Sequence, residues 1–161
     1  MAIALYAGSF DPITLGHLDI IKNGSEIFDK VIVGVTYNIN KQNFLDLNDR
    51  LNLIKECTKD FSNVSIEAYE GLTVKFAKQK GAKILLRGIR NCADYEYEAQ
   101  LSQANQKLET EIKTVLMVTK PEYSFISSSA VREILKNGGN ISGFVPESVK
   151  EFLDKKYSKN Y

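Results

Sequence analysis

The sequence has little of several things on which whole classes of proteins depend. Its 161 residues include one histidine and two cysteines. Cys57 and Cys92 are too few for a disulfide framework and have neither CxxC nor Cys/His metal-binding spacing. Lysine and arginine number 21 against 20 acidic residues, which leaves a formal net charge of +1. This balance provides no overall attraction to nucleic acid, so we expect no nucleic-acid partner.

Long apolar runs are also missing. No stretch approaches the roughly 18 residues that a membrane-spanning helix needs, so we expect no membrane partner. The N-terminal MAIALYAGSF lacks the basic start of a secretory signal. Two free thiols are the simplest interpretation of the cysteines, and together these features predict a cytoplasmic protein. A composition of 43% hydrophobic and 25% charged residues is typical of one globular domain, here residues 1–161.

Short apolar runs alternate with helical patterns along the chain. The runs predict five strands, at 2–7, 30–37, 64–69, 82–88 and 113–119. Asp46 is a predicted helix N-cap, and Gly81 and Gly138 are predicted helix ends. The alternation predicts a single-domain α/β fold: a doubly wound, Rossmann-like parallel sheet of five strands, with helices on both faces and C-terminal helices. Ligands of such sheets bind beyond the carboxyl ends of the strands.

Phosphate-binding residue types follow several of these strands. His17 begins the helix after the first strand, where free N–H groups and the positive helix end favour an anion. Lys41 follows the second strand, and Arg87 and Arg90 flank a glycine after the fourth. Taken singly, each has a plainer interpretation: His17 as a helix cap or packing residue, Lys41 as a solvated lysine, and the arginines as surface salt bridges. Together they predict a site for several phosphates.

A serine cluster follows the fifth strand, and acids are sparse. Ser127, Ser128 and Ser129 begin a helix, where a simple N-cap needs only one hydroxyl. Asp11 is the only carboxylate in the first loop, which does not suit a metal-dependent phosphohydrolase. Glu98 is expected to contact a sugar or base, and no metal-ligand set is predicted.

Two segments resemble known signatures. GSFDPITLGH (8–17) resembles the T/HxGH signature of the nucleotidyltransferase superfamily, and ISSSAVR (126–132) resembles its ISSTxxR signature. With RGIR, ADYEYEAQ and EYSFISSS, nearly the whole chain resembles the bacterial phosphopantetheine adenylyltransferases. The resemblance implies transfer of AMP from ATP to 4′-phosphopantetheine with Mg²⁺, which gives dephospho-coenzyme A and pyrophosphate. It also implies a homohexamer, with dephospho-coenzyme A or coenzyme A as product or feedback ligand.

The resemblance also implies roles for individual residues. Catalysis is assigned to His17, Lys41 and Arg87, and substrate binding to Ser9, Lys41, Thr73 and Arg87. ATP binding is assigned to Ser9, Phe10, His17, Gly88, Ile89, Arg90, Glu98, Tyr123, Ser124, Phe125, Ile126, Ser127, Ser128 and Ser129. Ser9, Thr14 and Ser129 depart from the signatures conservatively. Tyr123 replaces a tryptophan of some members, which leaves that wall of the pocket less defined.

The predicted mechanism needs no general base, because the attacking phosphate oxygen is already ionised at neutral pH. Positioning and charge stabilisation at the α-phosphorus then carry catalysis. Two other functions share these features: a sister nucleotidyltransferase acting on nicotinamide mononucleotide or a polyol phosphate, and a non-catalytic nucleotide sensor. The RGIR and ADYEYE segments favour phosphopantetheine over the first, and the presence of His17, Lys41 and Arg87 disfavours the second. Redox regulation through Cys92 is a third alternative, set against an incidental thiol.

Overall fold

The computed structural model of the chain describes residues 1–38 and 42–157. Its centre is one parallel sheet of five strands in the order β3-β2-β1-β4-β5. The strands are β1 (Ile3–Gly8), β2 (Lys30–Thr36), β3 (Val64–Tyr69), β4 (Ile84–Ile89) and β5 (Lys113–Val118). β1 and β2 are buried along most of their length, as expected for central strands covered on both faces. The predicted five-stranded parallel sheet is confirmed.

The helices fall where the sequence patterns predict them. They are α1 (Leu15–Ile27), α2 (Leu47–Thr58), α3 (Thr73–Gln79), α4 (Cys92–Leu108), α5 (Ser128–Lys136) and α6 (Glu147–Tyr157). The Asp46 carboxylate caps α2 by accepting from the Asp49 N–H at 2.8 Å. Gly81 and Gly138, just beyond α3 and α5, have φ of +67° and +71°, which glycine adopts without a steric penalty. None of the helices in the described part of the chain is both long and apolar enough to cross a bilayer.

The helices cover both faces of the sheet. On one face, Tyr6, Val33 and Leu86 join side chains from α1, α2, α5 and α6 in the larger core cluster. On the other face, Leu5, Ile32 and Leu85 pack against α3, and α4 contributes Leu101 and Asn105 beside the same strands. Side chains alternate between the two faces along a strand. Consecutive residues of β1 and of β4 therefore pack into cores on opposite faces of the sheet.

The strand order places a crevice beside β1. From β1 the chain builds outward through β2 and β3, then crosses to β4 and β5 on the other side. The connections therefore diverge between β1 and β4, where a doubly wound sheet opens at its carboxyl edge.

β4 begins two residues later and ends one residue later than the sequence predicts. The predicted strand ends at Gly88 and leads into a turn, but β4 runs to Ile89, because Gly88 and Ile89 pair with Met117 and Val118 of β5. The absence of a side chain at Gly88 is required there, since a Cβ would lie 2.9 Å from Cγ1 of Ile20. The turn itself is limited to the residues just before α4.

Candidate active site

A cleft of about 400 Å³, which we call the main cleft, opens at the carboxyl ends of β1 and β4. It is lined by residues 6–10, Thr14, Gly16, His17, Ile20, Arg87, Gly88, Arg90, Asp94, Tyr97, Glu98, Thr119 and residues 126–128. The fold thus brings together the predicted histidine, both arginines, Glu98 and two of the three serines. The outermost of these groups in the sequence, His17 and Ser128, are 111 residues apart, and the parallel sheet places them at one edge.

Two buried charged residues, Asp11 and Arg50, anchor the loop after β1. Asp11 is 6% exposed, and its two carboxylate oxygens accept the backbone N–H groups of Phe44 and Leu45, each at 2.8 Å. Arg50 is 1% exposed and donates from Nη1 to the carbonyls of Ser9 at 2.9 Å and Thr36 at 3.0 Å. These contacts fix the loop against the end of β2 and the segment before α2.

Phe10 shapes the floor of the main cleft. Its φ is 47°, a left-handed conformation that is uncommon for a residue with a side chain. Its ring is buried edge-on against Tyr6, with centroids 5.4 Å apart, and against His17, with centroids 5.1 Å apart. Burial raises the pKa of the Tyr6 hydroxyl, so this group remains a neutral phenol in the cleft.

His17 serves as both a helix cap and a cleft residue. The Thr14 backbone N–H donates to its Nδ1 at 3.1 Å, and its own backbone N–H donates to the Thr14 hydroxyl at 3.4 Å. Because Nδ1 accepts a hydrogen bond, a neutral ring carries its proton on Nε2. Burial, followed by the positive charges of Arg90 and Arg87, lowers the pKa of His17 to about 4. At neutral pH His17 is therefore an uncharged N–H donor.

Arg87 is held by two different elements. Its Nε donates to Oε2 of Glu98 at 2.9 Å, its Nη2 donates to Oε1 of Glu98 at 2.6 Å, and its Nη1 donates to the Ala7 carbonyl at 2.6 Å. Burial alone would lower the pKa of Arg87, but hydrogen bonding and the charge of Glu98 raise it. Each Glu98 oxygen thus accepts one hydrogen bond from Arg87. The predicted contact between Glu98 and a sugar or base stays a prediction.

Arg90 joins α4 to the serine cluster. Its Nε donates to Oδ2 of Asp94 at 2.9 Å, and its Nη1 donates to the Ile126 carbonyl at 3.0 Å. The hydrogen bonds from Arg90 lower the pKa of Asp94, which stays ionised. Arg90 therefore supports one wall of the main cleft through a salt bridge of its own.

The hydroxyls of Ser127, Ser128 and Ser129 each make a different hydrogen bond. Ser127 caps α5 by accepting from the Ala130 N–H at 3.1 Å, and Ser128 donates to the Pro12 carbonyl at 2.8 Å. Ser129 accepts from Arg132 at 3.1 Å and lies in a separate groove with residues of α5 and Tyr157. Arg132 also donates to the Asp11 carbonyl at 2.6 Å, which links α5 to the loop after β1.

A second, smaller cleft of about 180 Å³, the side cleft, adjoins the first. It is lined by Leu5, Ala7, Gly71, Leu72, Thr73, Val74, Leu85, Arg87, Leu101 and Asn105. Predicted Thr73 lies here, its hydroxyl 2.8 Å from the Tyr69 hydroxyl. Ala7 and Arg87 line both clefts, so the two spaces adjoin at these two residues.

Some predicted site residues lie elsewhere. Ile89, Tyr123, Ser124, Phe125 and Ser129 are outside the lining of both clefts, and Lys41 lies outside the described residues. Sequence reasoning missed Arg50, Asp94, Leu101 and Asn105. Only Asp94 had a local signal, because an acid in the first turn of a helix four residues after an arginine can pair with it.

The described side chains do not fit a protein-held divalent cation. Within residues 1–38 and 42–157, no group of three or more His, Cys, Asp or Glu side chains converges as a metal site. The carboxylates of Asp94 and Glu98, which line the main cleft, are each paired with an arginine. A magnesium ion here would have to be held mainly by other ligands, such as phosphate oxygens and water.

Comparison with known proteins assigns the chain to a family. The sequence model of the cytidylyltransferase-like family matches residues 5–134. The phosphopantetheine adenylyltransferase of Gloeothece citriformis is 51% identical, over 97% of this chain and 99% of its own. That of Lachnoclostridium phytofermentans is 48% identical, over 98% and 97%. A solved Vibrio parahaemolyticus structure, described as a nicotinate-nucleotide adenylyltransferase, shares the fold with a TM-score of 0.70 at 24% identity, over 97% of this chain and 93% of its own. The chain belongs to the cytidylyltransferase-like family and, within it, to the phosphopantetheine adenylyltransferases.

Proposed function

We propose that this protein transfers the adenylyl group of ATP to the phosphate of 4′-phosphopantetheine, releasing pyrophosphate and dephospho-coenzyme A. The observation that carries the proposal is the meeting of the main and side clefts at Arg87. A two-substrate transfer needs two sites that converge on one reacting phosphorus, with a cation at the junction. The relatives named above support the identity of the two substrates.

The proposed step is a direct displacement. An ionised phosphate oxygen of the acceptor forms a bond to the α-phosphorus of ATP, and the bond from that phosphorus to the β-bridging oxygen breaks, so pyrophosphate leaves with the electron pair. No proton is removed from the nucleophile, so no base is required. The Nε2–H of His17 and the guanidinium of Arg87 would stabilise the developing charge at the α-phosphoryl group. The proposed catalytic role of Lys41 is the same.

The substrates are assigned to the clefts by chemistry. The main cleft combines His17, Arg90 and the N-terminal end of α5, which suits the triphosphate and nucleoside of ATP. The side cleft is smaller and mostly apolar, with the Asn105 amide, the Thr73 hydroxyl and the Arg87 guanidinium as polar groups. Such a lining suits the apolar and amide parts of the pantetheine arm, with its phosphate at Arg87.

Mg²⁺ is proposed as part of the substrate, carried on the ATP phosphates. The pairing of Asp94 and Glu98 with arginines supports this assignment.

Three further proposed properties rest mainly on the family resemblance. A hexamer is supported by exposed apolar side chains on α4 and β5, among them Tyr95 and Val118. A cytoplasmic location is supported by two unpaired cysteine thiols. Coenzyme A is proposed as a feedback ligand, since one molecule carries groups suited to both clefts.

A pyrophosphate-release assay tests the proposed reaction. Purified protein, ATP and Mg²⁺ are incubated with either 4′-phosphopantetheine or nicotinamide mononucleotide as acceptor. We expect turnover with the first and none with the second. Turnover with nicotinamide mononucleotide alone would replace the proposed acceptor, and pyrophosphate release with neither would remove the proposed activity.

Asn105→Ala tests the assignment of the clefts. We expect this variant to raise the KM for 4′-phosphopantetheine and leave the KM for ATP unchanged. Gln103→Ala, an exposed position on the same helix, is the matched control and should change neither constant. A rise in the KM for ATP alone would reverse the assignment of the two clefts.

A further inference from the structure

Glu98 faces inward from α4, and its charge is almost fully enclosed. The residue is 6% exposed, and it is the only residue of this 17-residue helix that is buried. A buried carboxylate is unfavourable unless it is paired and hydrogen-bonded. Both Glu98 oxygens satisfy this requirement through Arg87, at 2.6 and 2.9 Å.

The pairing occupies one particular edge of the guanidinium. Glu98 accepts from Nε and Nη2, while the Ala7 carbonyl accepts from Nη1. A guanidinium has five N–H donors, so one N–H on each terminal nitrogen has no partner among the described residues. Glu98 therefore holds one edge of the Arg87 guanidinium and leaves an N–H on each terminal nitrogen for a ligand in the clefts that Arg87 lines.

We propose that Glu98 is a positioning residue that acts on the transfer reaction through Arg87, by fixing the guanidinium so that its terminal N–H groups meet the phosphates at the junction. This inference rests on the proposed function. It differs from the predicted direct contact between Glu98 and the nucleotide, because here Glu98 acts through Arg87, which donates to both of its oxygens.

The arrangement also explains why an acid lies in a phosphate-binding site. An unpaired carboxylate would repel the triphosphate, but bidentate pairing with Arg87 offsets its charge and preserves the donors that a phosphate needs. The reaction rate should also be sensitive to small displacements of the Arg87 guanidinium. A fork of two hydrogen bonds fixes the orientation of the guanidinium plane, and displacement of a catalytic group by about 1 Å can reduce a rate by about 10²-fold.

A double-mutant cycle tests the proposal. The wild type, Glu98→Gln, Arg87→Met and the double variant are compared for kcat and for the KM of each substrate. Glu98→Gln keeps the side-chain shape but cannot accept from both Nε and Nη2, so we expect kcat/KM for the acceptor to fall by about 10- to 100-fold. In the Arg87→Met background the same change should cause no further loss, because the guanidinium that Glu98 positions is absent. The ATP KM of the Glu98→Gln single variant should equal that of the wild type.

Controls separate this role from a purely structural one. Glu96→Gln alters an exposed acid on the same helix and should behave as wild type. Melting temperatures are measured for every variant, and if Glu98→Gln does not fold, Glu98→Asp replaces it in the cycle. An equal loss from the Glu98 substitution in both backgrounds, a rise in the ATP KM of the Glu98→Gln single variant, or no loss at all would overturn the proposal. If the wild type uses a different phosphorylated acceptor, only the acceptor assignment fails, and the cycle is run on that acceptor.

Discussion

The backbone N–H of Thr14 donates to Nδ1 of His17 at 3.1 Å, and this contact determines which nitrogen of the imidazole can face a ligand. The reciprocal bond from the His17 N–H to the Thr14 hydroxyl completes a capping box at the start of α1. The structural and functional interpretations of His17 are therefore compatible. One ring nitrogen satisfies the helix end, and the other is a donor for the main cleft.

The protonation state of His17 can be measured without ambiguity, because it is the only histidine in the chain. We expect its pKa to be about 4, since burial and the positive charges of Arg90 and Arg87 disfavour the imidazolium. Heteronuclear NMR titration of the ring should show a midpoint well below 6.5 and nitrogen shifts of the Nε2–H tautomer above it. A midpoint near 6.5 would contradict this environment.

The same shift predicts a dependence of stability on pH. A histidine whose pKa is lowered in the native state contributes stability above its unfolded pKa of 6.5, and this contribution is lost as the pH falls toward 4. Between those values the unfolded chain binds a proton that the native protein does not. The difference in unfolding free energy between wild type and His17→Gln should therefore change by about 2–3 kcal/mol across this range. Urea unfolding at several pH values measures it, and a constant difference would contradict the prediction.

Substitutions of His17 separate its two roles. His17→Ala removes both the cap and the Nε2–H donor, so we expect kcat to fall by about 10²-fold or more, as for loss of one oxyanion donor. The KM for ATP should change much less. His17→Gln keeps a capping-box residue and an amide N–H, and should retain more stability and more activity than His17→Ala. Steady-state kinetics and melting temperatures compare the variants, and full activity in His17→Ala would remove the catalytic role.

Asp11 is expected to stabilise the fold through two backbone groups. Asp11→Ala leaves the N–H groups of Phe44 and Leu45 without their acceptor, so the unfolding free energy should fall by about 2–5 kcal/mol. Asp11→Asn keeps one carbonyl oxygen and should lose less. Asp60→Ala, at an exposed acid, is the control and should change stability by less than about 0.5 kcal/mol. Chemical denaturation gives all three values, and equal stability of Asp11→Ala and wild type would contradict the prediction.

Removal of divalent metal should affect activity but not folding. If Mg²⁺ accompanies ATP, EDTA should abolish pyrophosphate release, and added MgCl₂ should restore it. The melting temperature of the protein alone should be the same with and without EDTA, because the described side chains form no metal site. A lower melting temperature in EDTA would indicate a resident metal.

The sequence was sufficient to predict the parallel sheet and most of the main cleft, because strand ends in this fold share one edge. His17 and Arg90 follow β1 and β4, and Arg87 lies near the end of β4, so their convergence needed only the topology. Arg50 could not be predicted in this way. On α2 it is indistinguishable from a solvated arginine, and it is buried only because the ends of β1 and β2 bring two carbonyls to it. The Arg87–Glu98 pair could not be predicted either, because no local pattern specifies that the single buried residue of α4 is an acid.

The meeting of the two clefts at Arg87 has a consequence for ligand design. A compound that fills the main cleft and one that fills the side cleft each lose translational and rotational freedom on binding. A single molecule that carries both groups, joined by an anionic linker at the Arg87 terminal nitrogens, loses that freedom once. Its second group then binds at an effective concentration set by the linker, in the millimolar range for a short flexible one. Two weak fragments could in this way become one tight and selective inhibitor.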